Sequence, residues 1–263
     1  MVIGDSGLTP PVRSQPTYEA PVPRLTLNVS DPVWVAHFPE LGTVHLFPGG
    51  HVSVRVAAGP RAVERYRALR WGWAEPLQLL RAGFHLTSLA MIDAVGRAMI
   101  VTGGGRHEAA LIDRLSDAGW QLVADTMAPA QLSEAGLRVY ARNAPALQKR
   151  PKEATATPVR AGSNVIETSC ERARQDYPVV GVLRISPRRS TDVAGLHPLR
   201  GGKKLEMASH LLHRGPLPPE DLTPAAGLQR DLRLAALEMA ELVLDDTSDD
   251  VMVDQILAWW DQL

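Results

Sequence analysis

The sequence predicts an α/β fold: a mixed sheet with flanking helices, preceded by antiparallel strands and followed by a C-terminal helical extension. Three observations carry this. Strand-like apolar runs at 86–92 and 98–102 are parted by a turn signal at 93–96, and three glycines then lead into residues with helical spacing. Upstream, four short strand-like segments are separated by proline and glycine turns. Beyond residue 216, apolar residues recur with a helical period.

Taken in order, residues 1–24 hold five prolines and almost no periodicity, which predicts a flexible lead-in before a main domain over 25–215. Segments 25–29, 33–38, 43–47 and 51–57 read as an antiparallel meander. It carries His37, His45 and His51, but without carboxylate or thiolate neighbours at ligand spacing no metal site is expected. Pro60 occupies a first-turn position, and 62–69 and 74–80 read as helices interrupted by Trp71, Gly72 and Trp73, with the indoles expected in the core.

A strand at 121–124 ends in Asp125, and another is expected at 137–141. Periodicity is lost over 143–176, which predicts a long loop with Lys149, Arg150 and Lys152 as basic candidates for partner contact. Residues 179–186 read as a buried strand and 201–213 as a helix, broken by Pro216, Pro218 and Pro219. The extension over 216–263 is expected as a helix at 225–244, then a last helix at 251–263 capped by Ser248, Asp249 and Asp250. Trp259 and Trp260 leave that last helix apolar over much of its circumference. They either close the core or meet a partner, and are carried here as candidate partner contacts.

Composition narrows the function classes. The 263 residues are 45% hydrophobic, enough for a substantial core, and a net charge of −1 gives no reason to expect nucleic acid or acidic membrane as a partner. The single cysteine, Cys170, excludes an intramolecular disulfide and fits a reducing cytoplasm. No apolar run approaches membrane-spanning length and no basic-then-hydrophobic start is present, so a cytoplasmic location is expected.

The order strand, glycines, helix, strand is the scaffold of a phosphate-binding site, because unpaired N–H groups and the dipole at a helix N-terminus attract anions. A working P-loop reads G-x-x-x-x-G-K-[ST], with the Lys on the phosphates and the hydroxyl on the magnesium ion. Aligned on Leu111 and the Gly119–Trp120 step, the Lys position falls on Glu108 and the hydroxyl positions on Ala109 and Ala110. The loop is also about one residue short. A carboxylate there repels a triphosphate, and alanine holds no metal.

Arg81-x-Gly83-x-His85, the strand pair, the glycine loop and helix, and the run from Gly119 to Asp125 resemble the catalytic domain of the HPr kinase/phosphorylase superfamily. Its single-domain relatives in bacterial peptide natural-product clusters are the closer likeness. The resemblance covers roughly residues 25–213. It implies that His85 matches the family's entry histidine, Gly103 and Gly105 its loop glycines, and Asp125 the first of two acids, the second being Thr126 here.

The Lys, both loop hydroxyls and one acid are thus missing, which predicts little phosphoryl transfer. The expected function is a pseudokinase: a binding or accessory subunit with a protein or precursor-peptide partner, without cofactor, able to form oligomers, in peptide maturation. The alternative is an enzyme of altered chemistry on an anionic, nucleotide or phosphorylated peptide substrate. Gly103, Gly104, Gly105 and Arg106 would then bind the anion, and His85, His107 or Asp125 would serve as acid or base.

Overall fold

The computed structural model describes residues 24–27, 34–39, 41–47, 51–103, 108–124, 127–141, 146–149, 165–168, 176–187, 193–212, 224–244 and 249–263. The chain forms two units. The first comprises residues up to Phe84 with 144–168 and 215–217, and the second 85–143, 169–214 and 218–263.

In the first unit, β1 (Arg24–Leu27), β2 (Trp34–Phe38), β3 (Gly42–Leu46) and β4 (Val52–Val56) lie side by side in chain order, all antiparallel, as the meander pattern predicts. Ala36, Phe38, Val44 and Leu46 alternate onto one buried face, which Leu69, Ala74 and Leu77 cover. The covering helices are α1 (Ala62–Leu69) and α2 (Glu75–Arg81). Trp71, Gly72 and Trp73 do not break them apart, because Arg70–Ala74 forms one wide π-helical turn instead. That turn sets Trp73 against Phe38 with ring centroids 4.8 Å apart, so this indole belongs to the core.

The second unit begins with β5 (His85–Thr87), β6 (Leu89–Ile92), β7 (Ala98–Thr102), α3 (Glu108–Asp117), β8 (Gln121–Ala124), β9 (Ala128–Ser133) and β10 (Gly136–Tyr140). The apolar run expected over 86–92 divides at Ser88. Its first part pairs with β9 and its second with β7 and β8, which curls the sheet. Where one long loop was expected over 143–176, β11 (Ala146–Lys149) and β12 (Val165–Thr168) pair as an antiparallel ribbon in the first unit. Backbone pairing there was not visible as apolar periodicity, since each strand sets two apolar residues side by side and then two polar ones, Ala146–Leu147 before Gln148–Lys149 and Val165–Ile166 before Glu167–Thr168.

The chain continues through β13 (Asp176–Pro187), β14 (Gly195–Pro198), α4 (Gly201–Leu211), α5 (Pro224–Leu234), β15 (Glu238–Leu244) and α6 (Asp249–Trp260). The sheet runs β5-β9-β10-β13-β7-β6-β8, with β15 on β13 and β14 on β15. β13 is its pivot: its start pairs antiparallel with β10, and from Val179 onward it runs parallel to β7 and from Gly181 parallel to β15.

The helix expected over 225–244 is therefore corrected. It stops at Leu234, and Glu238–Leu244 becomes a strand buried on both faces, so the C-terminal segment is built into the sheet rather than appended to it. Met239, Ala240, Leu242 and Val243 are good helix formers or neutral, and the pairing surfaces of β13 and β14 override that local preference.

One sheet face, with Ile100, Val182 and Met239, packs under Met207, Ala208 and Leu211 of α4 and Leu234 of α5. Buried Thr87 donates its hydroxyl to the Leu211 carbonyl at 2.9 Å, so that end of α4 is tied to β5. The opposite face receives α6, which also packs on α3. A Cβ on Gly181 would lie 2.8 Å from Trp260, 3.1 Å from Trp259 and 3.2 Å from Leu263, so glycine is what lets α6 seat against β13.

Candidate functional site

β7 is buried throughout up to half-buried Thr102, then ends in Gly103. Gly103 holds φ +79, and a Cβ there would lie 2.6 Å from the Ile185 carbonyl oxygen of β13. Both facts require glycine: a left-handed backbone and a close approach of two main chains. From there the chain opens into α3, where Ile112 and Leu115 of the expected stripe Ala109, Ile112, Leu115 and Ala118 are buried together with Leu111, while Ala118 lies past the helix end and is exposed. The frame of strand, glycine and helix is thus present, with Glu108, Ala109 and Ala110 as the first three helical residues.

Gly104, Gly105, Arg106, His107 and Asp125 lie outside the described residues. The strands leading to two of these positions share an edge. Leu89 pairs with Val101 and Ala90 with Ala124, so β7 and β8 both flank the start of β6 and both end there. Just beyond Asp125 and Thr126, Met127 has φ 51, a conformation costly for a side chain of that size. His85 is half-buried and opens β5 opposite Ala130, three residues before Ser88.

At the same edge the structure gathers a polar cluster that sequence reasoning missed. Arg184 Nε lies 3.1 Å from Glu241 Oε1, and Ser186 Oγ donates to the same oxygen at 2.7 Å. Arg184 Nε thus faces the Glu241 carboxylate, on which both its charge and its N–H act. Burial pushes the Glu241 carboxyl up, but the Ser186 hydroxyl and the charges of Arg184 and Lys203 outweigh it and hold the group below its ordinary value. Glu241 is thus a carboxylate and a poor proton carrier near neutral pH. Its signal in the sequence was an acid inside an apolar run, hidden once that run was read as a helix.

The proposed partner contacts fare differently. Trp259 and Trp260 are 7% and 2% exposed, which corrects the expectation that they meet a partner. Trp260 stacks edge-on against Trp120 at 5.0 Å and donates its indole N–H to Asp93 Oδ2 at 2.9 Å, so it closes the core. Lys149 lies in β11, and Arg150 and Lys152 are outside the described residues, as is Cys170. Among the described residues, no helix is long and apolar enough to cross a membrane, and no group of three or more metal-ligating side chains occurs.

No protein-family model matches the chain, and no curated protein matches it. Among solved structures it is similar to the Hpr(Ser) kinase/phosphatase from Coxiella burnetii, at 9% identity, covering 68% of this chain and 90% of that one, with a TM-score of 0.37. This is a distant likeness of fold.

Proposed function

We propose that this chain is a kinase-like protein without phosphoryl-transfer activity, acting as a binding or accessory subunit in the maturation of ribosomal peptide natural products. The observation that carries the reading is a frame kept while its chemistry is gone. Gly103 retains the backbone conformation and close approach of a phosphate-loop entry, yet the helix it leads to opens with Glu108, Ala109 and Ala110. Transferring a phosphoryl group depends almost wholly on positioned positive charge and metal, and these three side chains supply neither. The peptide setting rests on the sequence resemblance alone.

The experiment is incubation of the full chain with γ-labelled ATP or GTP and magnesium, following release of label. The expected result is release no faster than in a protein-free control. Release that disappears in the Asp125→Asn protein would overturn the reading.

A further inference from the structure

Thr102, Arg184, Glu241 and His197 form one transverse row across β7, β13, β15 and β14, each the backbone partner of the next. The row below, toward the start of the parallel strands, is Ile100, Val182, Met239 and Leu199, none more than 6% exposed. Within a single strand repeat the same sheet face passes from dry core to four consecutive polar residues. The change comes at the carboxyl ends of three parallel strands, the edge where α/β sheets place their ligands.

Stability gives no reason for charge at this position, because a half-buried ion pair is often matched or bettered by apolar residues of similar volume. Arg184 and Glu241 keep only 28% and 17% of their side-chain surface in solvent. Lys203, in the first turn of α4, stands near enough to Glu241 to favour its charged form. Two cations therefore face one carboxylate, and that carboxylate is already engaged by the Ser186 hydroxyl. Arg184 turns its Nε to Glu241, and a guanidinium carries several further N–H donors for other oxygens.

We propose that this row is an oxyanion site for a phosphate monoester, held by Arg184 and Lys203 with a hydroxyl hydrogen bond from Thr102, while Glu241 fixes the Arg184 side chain from the far side. A guanidinium, an ammonium and a hydroxyl together match the several acceptor oxygens of phosphate better than the two of a carboxylate. The site uses none of the loop residues 104–108 and does not depend on the kinase-like reading.

The test is calorimetric titration of the full chain with inorganic phosphate, without magnesium and at constant ionic strength, with chloride and acetate as controls. Saturable phosphate binding is expected, about tenfold weaker in Lys203→Gln, the size of one lost charge-assisted contact. Binding is expected to vanish in the double variant Arg184→Gln with Glu241→Gln, which exchanges the ion pair for two neutral amides. Circular dichroism checks that both variants fold, and Lys203→Gln keeps the test decisive if the double variant does not. Phosphoserine or AMP is expected to displace phosphate, the first pointing to a phosphorylated side chain and the second to a nucleotide. No saturation beyond chloride, equal binding of acetate, unchanged affinity in Lys203→Gln, or displacement by neither ester overturns the assignment. Since no arm contains magnesium or follows label release, failure here is distinguishable from failure of the proposed function.

Discussion

Asp93 shows how much one side chain carries in this fold. Its Oδ1 accepts from the backbone N–H groups of Val95 and Arg97 at 3.0 and 2.9 Å, which closes the turn between β6 and β7. Its Oδ2 accepts from Arg97 Nε at 2.7 Å and from the Trp260 indole, so the same carboxylate ties that turn to α6. Burial raises its proton affinity, but these donors outweigh burial and hold the group below its ordinary carboxylate value of 3.8. A depressed folded-state pKa adds stability that is present in full well above pH 3.8 and is lost as pH falls through that value toward the lower folded one. Urea midpoints from pH 7 down to pH 3 are therefore expected to fall less steeply in Asp93→Asn than in the parent, with the parent the more stable at pH 7. A second prediction at this scale concerns Gly103. Alanine there must adopt φ +79 and meet the Ile185 carbonyl at 2.6 Å, so Gly103→Ala is expected to cost about 1–3 kcal/mol in urea unfolding. An unchanged midpoint would mean that the close approach is not required.

At the scale of elements, α6 is held by a fit that one methyl group disturbs. Gly181→Ala places a Cβ 2.8 Å from Trp260, and the overpacking is expected to lower stability by about 1–3 kcal/mol and to alter near-ultraviolet circular dichroism from the tryptophans. Gly202→Ala, in the first turn of α4 where a Cβ meets nothing within 4 Å and the backbone is not left-handed, adds no clash and is the control. The strand Glu238–Leu244 offers another check, since amide exchange there is expected to be as slow as in β13.

These elements also show what the sequence made legible. The meander of the first unit was readable because Val44 and Leu46 alternate with Thr43 and His45, and the helix α3 because Leu111, Ile112 and Leu115 keep its period. β15 was not, because a strand buried on both faces has no alternation to display and its Glu, Met, Ala and Leu residues all suit a helix. Within the helix expected over 225–244, Leu228 and Leu232 are 53% and 56% exposed, while the neighbouring Arg230 and Asp231 form a half-buried ion pair. The polar row was invisible for a related reason. Thr102, Arg184, Glu241 and His197 lie far apart in sequence, and only the parallel pairing of β13 with β7 and β15 and the antiparallel pairing of β14 with β15 align them.

Across the whole molecule, a ligand-binding sheet edge and a proposed absence of nucleotide chemistry stand separately. Sheet order brings the carboxyl ends of β7, β8, β13 and β15 to one edge, a general site for ligands in α/β folds, and Gly103 lies there. In the proposed reading, that edge lacks the charge that nucleotide chemistry needs. By the sequence resemblance, Glu108 falls at the position of a phosphate-binding lysine, and alanines at those of metal-binding hydroxyls. The most direct measurement is calorimetric titration of the full chain with ATP and with GTP, each with and without magnesium. The account predicts no metal-dependent heat at micromolar protein and nucleotide concentrations. Micromolar affinity that requires magnesium would contradict it.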